Sequence, residues 1–476
     1  MVNKKWLSAA SSALLIGTLL SACGSGGNDS NAASHAANTA NTAISDADAK
    51  QTVTVSVFTE DRFLEESVSK FEQAHPNIDI QIQETVPTDT SGNQMRIQSG
   101  PSGDNGPAAG DIEKYVNTVG AALMSGKGSD LIATGYLPVD RYLDKGMFAD
   151  WSELVGKDKS FNSADYYERV LKGMTGSAGW YAIPVGFSLD VLIGNQSALD
   201  SAGGVNDKTW NWKQFIALCD KISKQAAAKG GNAHVLSGLK PEDLLGYWAE
   251  TVYSKLVTKN GNSSSFDMDA FRGYLEQVKK LYDSGAMSAE DLGRMQQVFS
   301  KMNISEPMQL ATLPSALGNG EGVVLNPPGT GEDEGLPFSS DLAFALNARS
   351  KVKPAAWEFE KFLLSEEIQA SPSMRSFPVH QAAVKTKLEQ FAEMQKSGKM
   401  KMMIKDKNGS AQSLTVTPEE IDSVLKLLPT VGKYEKKDTK VIAMIREEAA
   451  SYFSGGKPAE AVAKSAASRI ETYLNE

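Results

Sequence analysis

Two alternating apolar runs separated by a helical one restrict this chain's fold more than any other feature. In QTVTVSVFTEDRFLEESVSKFEQAHPNIDIQIQE, Val53, Val55 and Val57 alternate as a strand buried on one face does. Leu64, Val68 and Phe71 then recur at helical spacing, and Pro76 stops the helix. Ile78, Ile80 and Ile82 alternate again. A strand that returns through a helix to a neighbouring strand pairs with it in parallel. The expected class is therefore α/β.

What precedes this unit cannot join its core. Lys4 and Lys5 open an apolar stretch, Trp6 to Leu20, with the anatomy of an export signal. It is too short to span a bilayer, which needs about 20 apolar residues. Leu20-Ser21-Ala22-Cys23 resembles the bacterial lipobox, in which the cysteine sulfur takes lipid and becomes the mature N-terminus. Residues 1–22 are then a signal peptide and Cys23 the lipidation site. Residues 23–50 are almost free of aromatic and branched apolar side chains and read as a flexible tether. A coil of that length reaches about 30 Å, which holds a folded body clear of the headgroups.

The remaining chain exceeds the roughly 250–300 residues that one core serves, so two lobes are expected. Formal charge is −10, and loss of Lys4 and Lys5 with the signal takes it to −12. An acidic body without a basic cluster argues against nucleic acid or anionic lipid as partner. Cys219 shares a helical face with Trp212, Phe215 and Ile222 and reads as a buried structural thiol.

Further along, a Gly/Pro-rich insertion covers 91–110, with a helix from Asp111 to about Ser125 and a short buried strand in SDLIATGY. Val191 to Asn195 is another strand candidate. Helices are expected near Asn211–Lys229, Pro241–Val257 and Asp269–Ser284, then a strand in SDLAFALNA and a helix at Ala355–Leu364. Asn408-Gly409 suits a hairpin turn. Thr417 and Glu420 form a capping box, and two helices close the chain.

Several stretches resemble one family. EKYVNTVGAALMSGKGSDLIATGYLPVDRYLDKGMFADWSEL, GWYAIPVGFSLDVLIGNQSALDSAG, SDLAFALNARSKVKPAAWEFEKFLLSEEIQ and the C-terminal EEAASYFSGGKPAEAVAKSAASRIETYLNE occur in the order found in carbohydrate-type (family 1) extracellular solute-binding lipoproteins of ABC transporters. The resemblance implies a two-lobed periplasmic-binding-protein-like clamp (type II). Each lobe is a sheet flanked by helices, and hinge crossovers join them. Lobe 1 would take 51–186 plus 342–425, and lobe 2 187–341 plus 426–476. It also implies a receptor on the outer face of the cytoplasmic membrane that hands a small solute, most simply a sugar or oligosaccharide, to the transmembrane subunits of a permease. It would act as a monomer, without cofactor, metal or catalysis.

A sugar site needs flat aromatic rings for its apolar faces and carboxylates, amides or Arg for its hydroxyls. Glu60, Asp61 and Arg62 follow the first strand at its carboxyl end, where ligands of open α/β sheets bind, although an acid there also caps a helix. By resemblance, Tyr136 lies in the cleft-lining turn, Phe187 and Ser188 in the hinge crossover, and Trp248 where relatives place a stacking aromatic. Arg375 and Phe377 match the loop that borders the cleft, and Tyr434 joins the same set. One departure is plain: relatives carry a Gly-x-Trp before their last cleft loop, and QQVFSKMNISEPMQLATLPS has none.

Two other classes remain open. A surface-anchored glycan hydrolase needs only two carboxylates, but the chain has no nucleophile elbow, His-Glu-x-x-His, Walker loop, Gly-x-Gly-x-x-Gly or Cys-x-x-Cys. The acids in GEDEG fit no cation motif. A non-transport lipoprotein, such as a sensor's binding partner, would keep the clamp and lack the permease.

Overall fold

A computed structural model describes residues 50–87, 107–228, 230, 234–261, 263–291, 297–317, 321–405, 411–435 and 438–475. The signal, Cys23, the tether, most of the Gly/Pro-rich insertion and Asn408-Gly409 lie outside the described residues.

The opening unit folds as its periodicity requires. Strand β1 (Gln51–Val57) buries Val53, Val55 and Val57 and pairs in parallel with β2 (Ile78–Glu84). Between them α1 (Arg62–Ala74) packs Leu64 and Phe71 inward. Helix α2 (Ala109–Met124) leads to β3 (Leu131–Ala133), which lies parallel to β1 on its other side. Asp130 ties this region together, because its carboxylate accepts from the Thr54 amide (2.9 Å), the Thr54 hydroxyl (2.7 Å) and Ser350 (2.7 Å). After β3 come helix α3 (Val139–Leu143) and β4 (Phe148–Ala149). The strand Ala343–Asn347 inserts antiparallel between β3 and β4, which completes the sheet order β2-β1-β3-(343–347)-β4.

The crossover joins this sheet to a second. Strand β5 (Ile183–Pro184) pairs with Ala343–Asn347, and after Val185 the chain continues as β6 (Gly186–Asn195). Strand β6 is central to the second sheet, between Phe299–Ile304 and Leu336–Ser339, with Val431–Tyr434 beyond. The return crossing, Ser340–Leu342, runs beside the first: Val185 N–H donates to Leu342 (2.9 Å), and the Ser340 hydroxyl donates to Gly186 (2.6 Å). Gly186 suits this close approach, because a Cβ on it would sit 2.0 Å from Ser376 Oγ and 3.0 Å from Ser376 Cβ, so the Ser376 side chain would have to move.

Strand β6 separates two cores by alternation. Phe187, Leu189, Val191 and Ile193 join the apolar cluster that continues into the first sheet. Leu192 points into a second cluster, built on the helices Trp212–Ala228, Pro241–Thr251, Met268–Asp283, Thr439–Phe453 and Ala459–Asn475. Cys219 is buried there, as expected. The expected helix Pro241–Val257 breaks after Thr251 and resumes at Tyr253–Leu256. Thr417 and Glu420 form the reciprocal capping box. No described helix is long and apolar enough to cross a membrane.

Candidate functional site

The carboxyl ends of the three parallel strands converge, as the open-sheet rule requires. Phe58 follows β1, Glu84 ends β2, and Tyr136 lies in the turn after β3. The Phe58 and Tyr136 rings meet at 4.8 Å between centroids. Gly135 lets the return crossing lie against this turn, since a Cβ on it would come 2.3 Å from the Asp341 carbonyl oxygen. Burial pushes the Tyr136 phenol up, and Asp341 adds to the effect.

The acids after β1 divide their roles. Asp61 caps α1, accepting from the Leu64 amide at 2.8 Å. Arg62 turns along that helix to pair with Glu66 at 2.7 Å and is largely exposed. Glu60 is half-buried; desolvation and the nearby Glu65, Glu84 and Asp61 push its carboxyl up. Glu60 stays at the strand end, where its amide donates to Glu84 at 3.3 Å.

Tyr136 opens onto a cavity of about 410 Å³ between α2, the 136–141 segment and the two C-terminal helices. Among the described residues lining it, Glu113, Asp438 and Glu447 are balanced by Arg141, Lys440 and Arg469. Lys440 lies 3.7 Å from Glu113 and Arg469 lies 2.6 Å from Glu447, so both signs are neutralised locally. Tyr473 supplies a second ring, with the Lys440 ammonium 4.9 Å and the Arg141 guanidinium 5.8 Å from its centre. Burial, with Asp438 nearby, pushes its phenol up to about 12. The result is an aromatic, polar and nearly charge-neutral hollow, suited to an uncharged solute with many hydroxyls.

Three residues expected at the site are core instead. Phe187 and Phe377 are wholly buried and stack at 5.2 Å, because β6 alternation turns Phe187 inward and the short strand Phe377–Pro378 pairs beside it. Trp248 is 2% exposed, stacked on Trp212 at 4.5 Å and on Tyr274 at 4.6 Å. Packed this way, it presents no ring face to a solute. Arg375 is exposed and reaches Glu306 at 3.5 Å. Tyr434 is half-buried against Phe338 at 5.5 Å.

Ser188 belongs to a polar patch on the opposite face of β6. Its hydroxyl lies 2.9 Å from Ser339 Oγ, and Asn303 donates to Asp190 at 3.0 Å. The Tyr247 hydroxyl is buried without a hydrogen-bond partner among the described residues, and Glu435, Asp190 and Glu250 lie near enough to raise its pKa further. The sequence signal for this patch was Asp190, a charge inside the apolar run of β6. No group of three or more His, Cys, Asp or Glu that could hold a metal occurs among the described residues. In GEDEG, Glu334 pairs with Lys433 at 2.7 Å.

The family model described as bacterial extracellular solute-binding protein matches residues 56–370. No curated protein matches the sequence. Among solved structures, the fold is similar to an extracellular solute-binding protein of family 1 from Alicyclobacillus acidocaldarius, with TM-score 0.56 at 18% identity, covering 90% of this chain and 99% of that one. It is also similar to the sugar-binding protein MalE of Xanthomonas citri, with TM-score 0.55 at 15% identity, covering 89% and 97%. An ABC substrate-binding protein of Listeria monocytogenes in complex with cycloalternan gives TM-score 0.50 at 16% identity, covering 89% and 99%.

Proposed function

The chain belongs to the bacterial extracellular solute-binding protein family, and from that membership we propose that it captures a sugar or oligosaccharide and delivers it to an ABC permease without altering it. The observation that carries this reading is the cavity beside Tyr136 and Tyr473, whose three carboxylates and three cations offset one another. An anionic or cationic solute would leave one set unpaired in a confined space. A hydroxylated neutral solute can stack on the rings and accept or donate at the rim. The Xanthomonas and Listeria structures are described as sugar-binding and as bound to cycloalternan, which makes carbohydrate the first class to test.

In this reading the paired crossovers at Val185 and Ser340–Leu342 are the hinge. Lobe 1 is 51–186 plus 342–425 and lobe 2 is 187–341 plus 426–476. Solute shifts the balance toward closure by binding the closed form better. Lipid on Cys23 holds the monomer at the outer face of the membrane, and the tether lets it reach the permease.

The experiment is a thermal-shift screen of purified protein against mono- and oligosaccharides, with peptides as controls. A bound solute raises stability by RT ln(1 + [L]/Kd). Stabilisation by saccharides alone supports the proposal; stabilisation by peptides alone, or hydrolysis products in the same mixtures, would overturn it.

A further inference from the structure

The net charge of −10 conceals a local reversal. MQKSGKMKMMIK, residues 394–405, holds four lysines, four methionines and no acid. It leads from the end of the helix Gln381–Lys396 into a two-stranded hairpin, in which Met402–Lys405 pairs antiparallel with Ala411–Leu414. We propose that the base of this hairpin is a docking surface for an anionic lipid membrane, a second point of attachment beside the Cys23 anchor. The proposal does not depend on which solute the protein binds.

Local structure fixes this surface to the body. Gly398 ends the helix: its φ of +70° is the left-handed conformation that glycine adopts without a Cβ clash, and its amide donates to the Gln395 carbonyl at 3.0 Å. The Gln395 side chain then clasps the returning strand. Its Nε2 donates to the Leu414 carbonyl at 2.9 Å, and its Oε1 accepts from the Val416 amide at 2.9 Å. Met400 is half-buried against the main core, and its amide donates to the Met394 carbonyl at 3.1 Å.

What this base presents outward is charge without counter-charge. Lys396, Lys399 and Lys401 are exposed, and none has a carboxylate partner among the described residues. The lysines of the flanking helices differ: Lys385 pairs with Glu389 at 3.0 Å, and Lys426 lies 3.9 Å from Asp422. Three large apolar side chains among the described residues are more than a third exposed, and two of them, Met394 (37%) and Met403 (57%), lie here. Free ammonium groups interspersed with exposed thioethers suit a lipid surface, where the charges meet headgroup phosphates and the methionines reach the acyl boundary. A nucleic acid offers the phosphates but no apolar phase. Whole-chain charge argues against anionic lipid, but screening limits each charge to a range of about 8–10 Å. At that range a membrane senses the hairpin base, not the distant acids. An anchor at the end of a flexible tether leaves the body free to turn; a contact on the body itself sets its orientation.

The test is vesicle co-sedimentation of the mature chain from residue 23, carrying Cys23→Ser so that no attached lipid contributes. The vesicles are an equal mixture of phosphatidylglycerol and phosphatidylcholine, or phosphatidylcholine alone. The protein should partition onto the mixed vesicles at low salt and not onto the neutral ones. Each lysine near an anionic surface is worth about fivefold in partition, so the double variant Lys399→Gln, Lys401→Gln should lower the coefficient roughly thirtyfold. Met403→Ser should lower it severalfold, while thermal unfolding checks the fold. The control Lys457→Gln, Lys464→Gln removes the same charge from exposed positions at the C-terminal helices and should change partition by less than about twofold. No partition of the parent chain, or equal losses in the two double variants, overturns the docking surface. So does tighter binding to a single-stranded oligonucleotide than to the mixed vesicles at equal phosphate concentration. Saccharide binding is read separately and stands or falls on its own screen.

Discussion

The Trp248 ring lies on the Trp212 ring at 4.5 Å, with an 11° angle between their planes. Trp212 Nε1 donates to Thr251 Oγ1 (2.8 Å), and that hydroxyl donates to the Trp248 carbonyl (3.0 Å), so the stack and a buried hydrogen-bond chain lock two helices together. Tyr274 adds a third helix. Trp248→Ala should therefore cost roughly 3–5 kcal/mol of stability, the range for large aromatics removed from a core. Urea unfolding measures it. A loss under about 0.5 kcal/mol, the scale of surface substitutions, would put Trp248 outside the core.

Glu360 gives a pH-dependent prediction. It is wholly buried on the helix Lys353–Leu363, and neither carboxyl oxygen has a hydrogen-bond partner among the described residues. Burial holds its pKa well above the ordinary value. Unfolded Glu ionises near about pH 4.3. Below that pH both states keep the proton. As pH rises, the unfolded chain releases its proton while folded Glu360 keeps it, so stability falls with rising pH until the folded group also ionises. Glu360→Gln should remove this part of the slope and gain on the wild type from pH 5 toward pH 8. Parallel stability curves for the two proteins would show that Glu360 is charged and paired.

The sequence made some elements plain and hid others for physical reasons. Val53, Val55 and Val57 face one core, so their alternation is written in the residues; the same holds for the capping box at Thr417. Phe299–Ile304 is a full strand, yet FSKMNI carries a lysine and an asparagine, and its place is set by pairing with β6. Tyr136, which lines the cavity, was legible because a strand's carboxyl end is a fixed place. Tyr473, Asp438 and Arg141 were not, because they come from distant helices that only the tertiary fold brings together. Phe187, Phe377 and Trp248 show the converse limit: residue type named aromatics correctly, but not the face they present.

Two ion pairs join elements that follow the first-sheet strands to later segments of the chain, one at the cavity and one beyond its lining. Lys440 meets Glu113, and Lys259 meets Asp144 at the end of α3. All four side chains are about half exposed, so each pair is weak and screened by salt. If the pairs belong to the closed form, binding of an uncharged sugar should weaken by a factor of a few on passing from low to high salt. The double variant Glu113→Gln, Lys259→Ala should bind more weakly at low salt and lose that salt dependence. Calorimetric titrations at the two salt levels decide; an unchanged salt response in the double variant would mean the pairs do not report closure.

Tyr136 offers the most direct test of the inner cavity. Its ring packs against Phe58 on one side of the hollow, and the Tyr473 ring with its two cations lines another part of it. Tyr136→Ala deletes a surface on which a pyranose face would stack. Burial of a large side chain is worth about 1.5–3 kcal/mol, so the dissociation constant should rise roughly tenfold to a hundredfold. Tyr136→Phe keeps the ring and removes only the hydroxyl, so it should retain most of the affinity. Titration of both variants with the best saccharide from the screen separates stacking from hydrogen bonding. Equal losses would assign the contribution to the hydroxyl, and no loss in either would move the solute away from the carboxyl ends of β1 and β3 altogether.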